Sequence, residues 1–463
     1  MYNHIENQLS LDEFDYPIGK LKADNRWIVL SKLIPWEAIE KKYREHFGKK
    51  GNVAKSSRIA LGSLIIKTIY NCSDEDVTHH VEENPYLQYF LGMKKYEINT
   101  CPFSKQSMSE FRKRFSDLEV LNAINGIIIE KVDLIEEKKT GTKNSGELVI
   151  DATCIPADIT YPQDTKLLNR CREETEKIID EVCETNKIKK PRMKRKLARQ
   201  DYLNFSKSKK RGAKQTRKAI KKQLSYIRRN LSFIEKYIEA EYDLKKYEKD
   251  LKKIQRIYEQ QNTMIIENKR STPDRIVSYQ QDYVRPIVRG KAHCKTEFGP
   301  KLEISVELGF TRIETFSFDP FNEGKNLQSI VEKFKSRTGY YPEKVLVDKI
   351  YRNRENLIFC RNNGISITGP LLGRPKKDAV VDKKEEYEDI CKRNCVEGKI
   401  GEVKGRYGLD RLFARTKLTT VSQIGVAIIV TNLMKGLRLL FSIFIMILFK
   451  NTKPSKISFS TFC

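Results

Sequence analysis

Three carboxylate residues stand where they could serve phosphoryl-transfer chemistry. Asp151 follows the short apolar run 148–150, and Asp348 follows the apolar run 345–347. Each run predicts a buried strand that ends at its aspartate. The third residue, Glu397, lies in the basic segment KRNCVEGKIGEVKGRYGL. Carboxylates from three elements can hold Mg²⁺, because hard cations take oxygen ligands, and two such ions about 4 Å apart can support in-line phosphoryl displacement.

The setting of Glu397 supports two interpretations. On a helix, Arg393, Glu397, Ile400 and Lys404 fall along one stripe. This stripe would present a metal ligand between two cations, which suits a DNA phosphate. The alternative is an ordinary surface ion pair of Arg393 with Glu397, worth about 0.3–0.5 kcal/mol. Spacing alone slightly favours the ion pair, and it leaves Glu402 as another possible third ligand.

The overall charge indicates a polyanionic partner. The 463 residues contain 88 Lys and Arg against 61 Asp and Glu, a formal charge of +27. Nucleic acid is favoured over a membrane surface, because neutralised phosphates release counterions. The first residues, MYNHIENQLSLDEF, show no signal-peptide pattern, which predicts a cytoplasmic protein. The apolar run 437–449 is shorter than the roughly 20 residues that span a bilayer, and we interpret it as a buried helix.

Residues 1–140 are predicted to be helical. One helix is expected to begin at Ser73 and to end at Gly92. A further short helix is expected to expose Arg112, Lys113 and Arg114. Such a bundle could contain a helix-turn-helix DNA reader or could be a plain helical bundle, and the pattern favours neither.

A long basic insertion follows the first predicted strand, at about 166–270. From Lys187 to Arg229 there are 19 Lys and Arg and one acidic residue, Asp201. Apolar residues at spacings of four and three predict a heptad seam over 220–238. A second run over 244–258 is out of phase with it, which indicates two helices or one interrupted coil. So one-sided a charge favours contact with a nucleic-acid backbone over a merely solvated coil.

Residues after 300 predict an α/β domain with a mixed sheet. The pattern indicates a hairpin that turns at Gly309, a helix that ends at Gly339, a strand that ends at Asp348, then a helix and a further strand. A loop over 371–386 and a helix from about 385 to 401, which carries Glu397, complete the domain.

Three blocks of the chain resemble the catalytic blocks of bacterial insertion-sequence DDE transposases. They are ELVIDATCIPADITYPQDTKLLNRCRE, VDKIYRNRENLIFCRNNGISITGPLLGRP and RNCVEGKIGEVKGRYGL. The family signature Tyr-x2-Arg-x3-Glu-x6-Lys is matched by Arg393, Glu397 and Lys404, whereas Ile390 replaces the tyrosine. This departure leaves the acidic residues intact.

The resemblance implies a fold, a reaction and a set of partners. The fold would be α/β, with a ribonuclease-H-like mixed-sheet catalytic domain over 141–463, interrupted by the basic insertion, and an all-helical DNA-end-binding domain over 1–140. Asp151, Asp348 and Glu397 would be catalytic and would bind Mg²⁺, for which Mn²⁺ could substitute. The enzyme would bind terminal inverted repeats, cut to expose 3′-hydroxyls and join them to target DNA. Lys404, Arg393 and Arg406 would contact DNA, and synapsis of two ends suggests a homodimer, which the heptad seam could support; an intramolecular coil is equally compatible with it.

Two other functions remain open from the sequence. A structure-specific nuclease on the same fold would cleave without joining. A catalytically silent DNA-binding remnant of such an element would bind without cleaving, and Ile390 together with the apolar C-terminal segment keeps this reading open.

Overall fold

The computed structural model describes residues 11–17, 19–45, 47, 53–140, 146–159, 163–288, 296–368 and 383–450, apart from the side chains of 133–140, 163, 383, 385, 386 and 443–450. The predicted loop over 371–386 therefore lies largely outside the described residues. The described part of the chain forms two compact units. Unit 1 comprises the described residues of Met1–Ile155, Lys301–Ser317 and Phe321–Cys463, and unit 2 those of Pro156–Pro300 and Phe318–Pro320. These units do not coincide with the predicted boundary at residue 140, and the functional division into 1–140 and 141–463 stays a prediction.

Unit 1 begins with seven helices. The predicted start at Ser73 is confirmed, since its hydroxyl accepts the Asp76 N–H and the Asp76 carboxylate accepts the Ser73 N–H. The predicted single helix to Gly92 is wrong, because Asn84 adopts an extended conformation before Pro85 and begins a second helix. The helices are α1 (Arg26–Leu33), α2 (Trp36–Arg44), α3 (Ser57–Tyr70), α4 (Asp74–Glu83), α5 (Pro85–Phe90), α6 (Ser107–Arg114) and α7 (Leu118–Thr140).

Unit 2 is mainly helical and contains the predicted insertion. The two apolar runs lie on two helices, the first of the two predicted arrangements. The heptad seam does not face outward: Ile220, Leu224 and Ile227 are buried in a core shared with the preceding and following helices of the same unit. The elements are β1 (Glu147–Cys154) in unit 1, then α8 (Gln163–Thr185), α9 (Arg195–Lys207), α10 (Ala213–Glu239), α11 (Glu248–Ile266), β2 (Pro286–Val288) and β3 (Thr296–Phe298).

The rest of unit 1 supplies most of a five-stranded mixed sheet. Its elements are β4 (Lys301–Glu307), β5 (Phe310–Ser317), α12 (Leu327–Thr338), β6 (Lys344–Leu346), α13 (Arg354–Asn362), β7 (Ser366–Ile367), α14 (Lys383–Arg406) and α15 (Lys417–Lys450). The predicted hairpin is confirmed: Leu308 and Gly309, with φ of 49° and 75°, form its turn. Gly339 also ends α12 in a left-handed conformation, as predicted.

The order of the strands is β5-β4-β1-β6-β7. Strands β5, β4 and β1 pair antiparallel, and β6 and β7 run parallel to β1. One face of the sheet packs against α14, α15 and the N-terminal helices in a single core, which includes Val149, Ile304 and Leu346. The opposite face packs against α12 and α13 through Ile150 and Val345. Thus the N-terminal helices and the sheet share one hydrophobic core.

Helix α15 is the one described helix that is long and apolar enough to cross a membrane. Core helices of soluble proteins pass the same test, and 72% of its most apolar window is buried inside the protein. Its neighbours are α1, α3, α6, α7 and strand β5. The predicted run 437–449 is helical, but among its described side chains, 437–442, only Leu437 is buried, so the burial of this run is not confirmed.

The free edge of the sheet is closed by side-chain amides. Strand β5 is the outermost strand, and the backbone N–H of Thr311 donates to Asn432 Oδ1 at 2.9 Å. The carbonyl of Thr311 accepts from Asn432 Nδ2 at 2.8 Å and from Asn125 Nδ2 at 3.0 Å. Asn432 also donates to Asn125 Oδ1 at 2.7 Å. At Thr311, one asparagine from α15 and one from α7 thus supply the hydrogen bonds that a neighbouring strand would otherwise make.

Candidate active site

Asp151 on β1 and Asp348, two residues beyond the end of the parallel strand β6, lie at the same level of the sheet. Val149 pairs with Leu346 in the register of β1 and β6, and each aspartate stands two residues beyond this pair. Because side chains alternate along extended chain, Asp151 lies on the same face of the sheet as Val149, and Asp348 on the same face as Leu346. Val149 and Leu346 both belong to the core beneath α14, so both carboxylates are directed to that face.

Helix α14 brings Glu397 to the same face. Val396 and Val403 are buried in the shared core, and α14 packs across β1, β4 and β6. Two ion pairs fix its beginning on the strands, Asp389 with Lys344 at 2.5 Å and Lys392 with Glu147. The helix runs from 383 to 406, beyond the predicted limits of 385 and 401 at both ends.

The guanidinium of Arg393 links two of the three carboxylates. Its Nη1 lies 3.5 Å from Asp348 Oδ1, and its Nη2 lies 3.2 Å from Glu397 Oε1. The predicted ion pair of Arg393 with Glu397 is therefore present, and it extends to Asp348. The structure brings these three residues together and places Asp151 on the adjacent strand, where its Oδ1 accepts the Ala152 N–H at 2.8 Å.

Carboxylate oxygens at this face are the donor set that a hard divalent cation requires. Arg393 already places positive charge between Asp348 and Glu397, which is the neutralisation that such an ion would supply. Among the described residues, no three His, Cys, Asp or Glu side chains are close enough to form one metal cluster. In donor chemistry and in shared face the three carboxylates suit a divalent ion, but they are not gathered into one cluster here, because the Arg393 guanidinium lies between Asp348 and Glu397.

Glu402, the alternative third ligand, is engaged elsewhere in the same core. It contacts Lys399 at 3.2 Å and Arg438 at 3.1 Å. Burial raises the pKa of Glu402, but the Lys399 and Arg438 charges outweigh it and hold that pKa below its usual range. Its carboxylate is thus a structural partner of α15, whereas the Glu397 side chain is 55% exposed.

The solvent-exposed side of α14 is open around Glu397. A Cβ added at Gly398, Gly401 or Gly405 would meet nothing within 4 Å. Ile390, the position of the family tyrosine, is 53% exposed and stands two heptads from Lys404 on the stripe of Glu397. Lys404 is half-buried, and exposed Arg406 lies over the ring of Tyr407 at 5.9 Å. The surface is open to a broad ligand rather than enclosed around a small one.

The turn that follows Asp348 is held by a buried polar network that the sequence analysis missed. The hydroxyl of Tyr351 donates to Glu303 Oε1 at 2.7 Å, and Asn326 donates to the other oxygen at 2.7 Å. Burial, followed by the charge of Glu303, raises the pKa of Tyr351. Asn356 binds the carbonyls of Tyr351 and Gly324, and Gly324 is required because a Cβ there would lie 2.5 Å from a backbone oxygen. This network fixes the loop that presents Asp348.

Polar and apolar residues alternate along KLEISVELGF, but the polar residues do not lie where this alternation would place them. Glu303, Ser305 and Glu307 occupy one face of β4 and would be expected to face water. All three are buried, because α12 covers them. Arg337 on α12 pairs with Glu307 and lies 3.4 Å from Glu314 on β5.

The predicted exposure of the cations on α6 is wrong for two of the three. Arg112 forms two bonds with Asp74, at 2.9 and 2.7 Å, and Arg114 donates to the Tyr43 hydroxyl. Lys113 is exposed and pairs with Glu110. These partners tie α6 to α4 and α2, so α6 offers little unpaired charge to DNA.

Comparison with known proteins finds transposase domains in two segments of unit 1. Residues 345–434 match the family described as transposase DDE domain, and residues 18–114 match the family described as transposase domain. Together these domains indicate a transposase of the DDE class, as insertion sequences encode, and they confirm the predicted resemblance. The matched segment 345–434 contains Asp348, Glu397 and Lys404.

A curated relative adds sequence similarity without an activity. The chain is 27% identical over 163 residues to an uncharacterized protein, ORF8 in the nfe locus, of Rhizobium meliloti. The match covers 35% of this chain and 75% of that protein. No solved structure gives a significant match.

Proposed function

We propose that this protein is the transposase of an insertion sequence. It would bind the terminal inverted repeats, cleave DNA to expose 3′-hydroxyls and join these to target DNA. The observation that carries the proposal is the placement of Asp151, Asp348 and Glu397 on one face of the sheet, in a chain with two transposase domains. The mixed sheet, with an antiparallel hairpin on one side of β1 and parallel strands on the other, supports a ribonuclease-H-like assignment.

The three carboxylates are proposed to be the catalytic residues and to hold Mg²⁺, for which Mn²⁺ would substitute. Bound ions would activate the attacking water or 3′-hydroxyl and stabilise the leaving oxygen. Asp348 is positioned by the Tyr351 network, and Glu397 by the burial of Val396 beside it. Lys404, Arg393 and Arg406 are proposed to contact DNA phosphates along the open side of α14.

Two parts of the proposal rest on the family rather than on geometry. Recognition of the repeats is assigned to the helical domain because residues 18–114 match a transposase domain. Homodimer formation on DNA follows from the need to hold two ends. It takes little support from the heptad seam, because most of its apolar residues are covered within unit 2 and Ile238 alone of the seam is exposed.

The test is cleavage and joining of a plasmid that carries the DNA flanking the reading frame, with Mg²⁺ or Mn²⁺. Asp151→Asn and Glu397→Gln should bind this DNA and fail to cut it. Glu402→Gln is the matched control, since it makes the same change five residues away on α14, and it should still cut.

The outcomes separate the alternatives. Cleavage that survives Glu397→Gln and is lost in Glu402→Gln would move the third ligand and refute the assignment. Specific cleavage without joining would indicate a structure-specific nuclease. Binding without any metal-dependent cleavage by the unmodified protein would indicate a silent DNA-binding remnant.

A further inference from the structure

Helix α10 of unit 2 carries a stripe of cations on its solvent side. Lys214, Lys218, Lys221, Ser225 and Arg228 follow each other at intervals of four and three, so they lie along one line on the helix. All five are exposed. At 1.5 Å per residue the line is about 21 Å long. We call these residues the α10 stripe.

The opposite side of α10 is fixed in the core of unit 2. Ile227 is fully buried, and Asn230 donates to the Thr175 hydroxyl on α8 at 3.0 Å. Gln223 donates to the carbonyl of Ala198 on α9 at 3.3 Å. Because apolar and polar contacts both hold this side, the helix cannot roll, and the stripe is a fixed feature of the surface.

The four cations of the stripe form no ion pairs in the described part of the chain. Asp201, the carboxylate near Lys218, pairs instead with Lys222 at 2.6 Å. Other cations of the unit differ: Lys246 pairs with Glu181 at 3.1 Å, and Lys252 pairs with Glu248 at 2.5 Å. The cations of the stripe therefore differ from the paired cations of unit 2, and they give this side of α10 a net positive potential.

The surface beside the stripe is concave. Two adjoining concavities of about 460 and 440 Å³ share Arg217, Lys221 and Ser225. The second lies between α10 and α11, where Tyr258 and Asn262 form its other wall. Arg217 is held at the boundary, since its guanidinium donates to the Ile265 carbonyl at 2.7 Å and to Asn268. A groove with a fixed guanidinium and exposed ammonium groups suits phosphates.

We infer that the α10 stripe and its groove bind the sugar–phosphate backbone of duplex DNA. Duplex DNA is a rigid polyanion with one charge per about 1.7 Å of its axis, and a rigid straight row of cations is complementary to it. The contacts would be to phosphates and would not depend on base sequence. This inference rests on the proposed function only in taking DNA as the polyanion, and it adds a binding surface on unit 2.

The test compares two triple variants of the full-length chain. Lys218→Ala, Lys221→Ala and Arg228→Ala together remove three charges from the stripe. The matched control, Lys177→Ala, Lys246→Ala and Lys252→Ala, also removes three charges from unit 2, but these pair with Glu181 or Glu248. Alanine is the best helix former, so both variants should keep their fold, which circular dichroism checks.

Binding of a 40-base-pair duplex of arbitrary sequence is measured against salt concentration. Each phosphate contact contributes about 0.9 to the slope of log K against log [salt]. The stripe variant should lose about 2.7 from this slope and bind up to about 500-fold more weakly at 0.1 M salt. The control variant should lose less than the equivalent of one contact.

Equal losses in both triple variants would mean that net charge alone is responsible and would overturn the inference, as would an unchanged slope in the stripe variant. The inference would also be overturned if the stripe variant lost binding to anionic phospholipid vesicles but kept its affinity for DNA, because the stripe would then be assigned to a membrane surface. Failure of cleavage by the unmodified protein, with the slope still reduced in the stripe variant, would refute the proposed function and leave this inference standing.

Discussion

Replacing Asn432 by alanine should destabilise unit 1 strongly. The side chain is fully buried and makes three hydrogen bonds, two with the backbone of Thr311 and one with Asn125. The Thr311 carbonyl keeps its bond from Asn125, but the Thr311 N–H and Asn125 Oδ1 lose a partner. A buried polar group without a partner costs about 1–3 kcal/mol, so the expected loss is about 4 kcal/mol.

The two tryptophans make the measurement specific. The chain contains two, Trp27 and Trp36, and both belong to the core of unit 1. Thermal unfolding followed by tryptophan fluorescence therefore reports on this unit. With about 2 °C per kcal/mol for a unit of this size, the Tm should fall by about 8 °C.

A control on the neighbouring residue separates the lost amide from general disturbance of α15. Thr431 is equally buried, and its hydroxyl donates only to the carbonyl of Ala427 within the same helix. Thr431→Val keeps the shape of the side chain, so it should cost about 1 kcal/mol. If Asn432→Ala and Thr431→Val lower the Tm equally, the amide does not close the edge of the sheet as described.

Other predictions concern pH and two helices. Burial raises the pKa of the Glu303 carboxyl in the folded state. Its contribution to stability is therefore full below the ordinary glutamate pKa of 4.5 and is lost as pH rises through the raised folded-state pKa. Glu303→Gln should flatten the decline in Tm above pH 4.5, and an unchanged profile of Tm against pH would contradict this. Gly401→Ala should stabilise α14 by about 1 kcal/mol, since its Cβ would meet open space. Gly425→Ala should have the opposite sign, because its Cβ would lie 2.5 Å from Leu121 on α7; calorimetry of both variants measures the difference, and a shared sign would refute the packing argument.

Local signals in the sequence predicted much of the fold. The turn at Gly309, the helix stop at Gly339 and the start at Ser73 each depend on one residue's backbone preference or capping bond, which neighbouring residues do not change. The error at Asn84 has a local cause too: the helical pattern continues across Pro85, but the chain turns there.

Partners across the chain could not be read from the same patterns. The heptad seam showed which side of α10 is apolar, but not that α8 covers it, because periodicity does not identify the neighbouring element. Likewise the alternation in β4 showed a polar face but not the arginine that buries it. For the candidate site, the two apolar runs were sufficient to predict Asp151 and Asp348 as a pair, although the predicted strand end at Asp151 is wrong, because β1 stays paired with β4 as far as Cys154. The link from Arg393 to Asp348 could not be predicted, since it depends on how α14 lies on the sheet.

The place of α15 in the core has a consequence for synthesis of the protein. Trp27 and Ile424 lie in the same hydrophobic cluster, yet about 400 residues separate them along the chain. At about 5–20 residues per second, the ribosome needs roughly 20–80 s to reach the second after the first. During that interval the apolar sides of α1, α3 and α7 lack the helix that covers them, and β5 lacks the amide that closes its edge. The nascent chain is thus a long-lived substrate for chaperones and proteases, and maturation of unit 1 waits for one of its last helices.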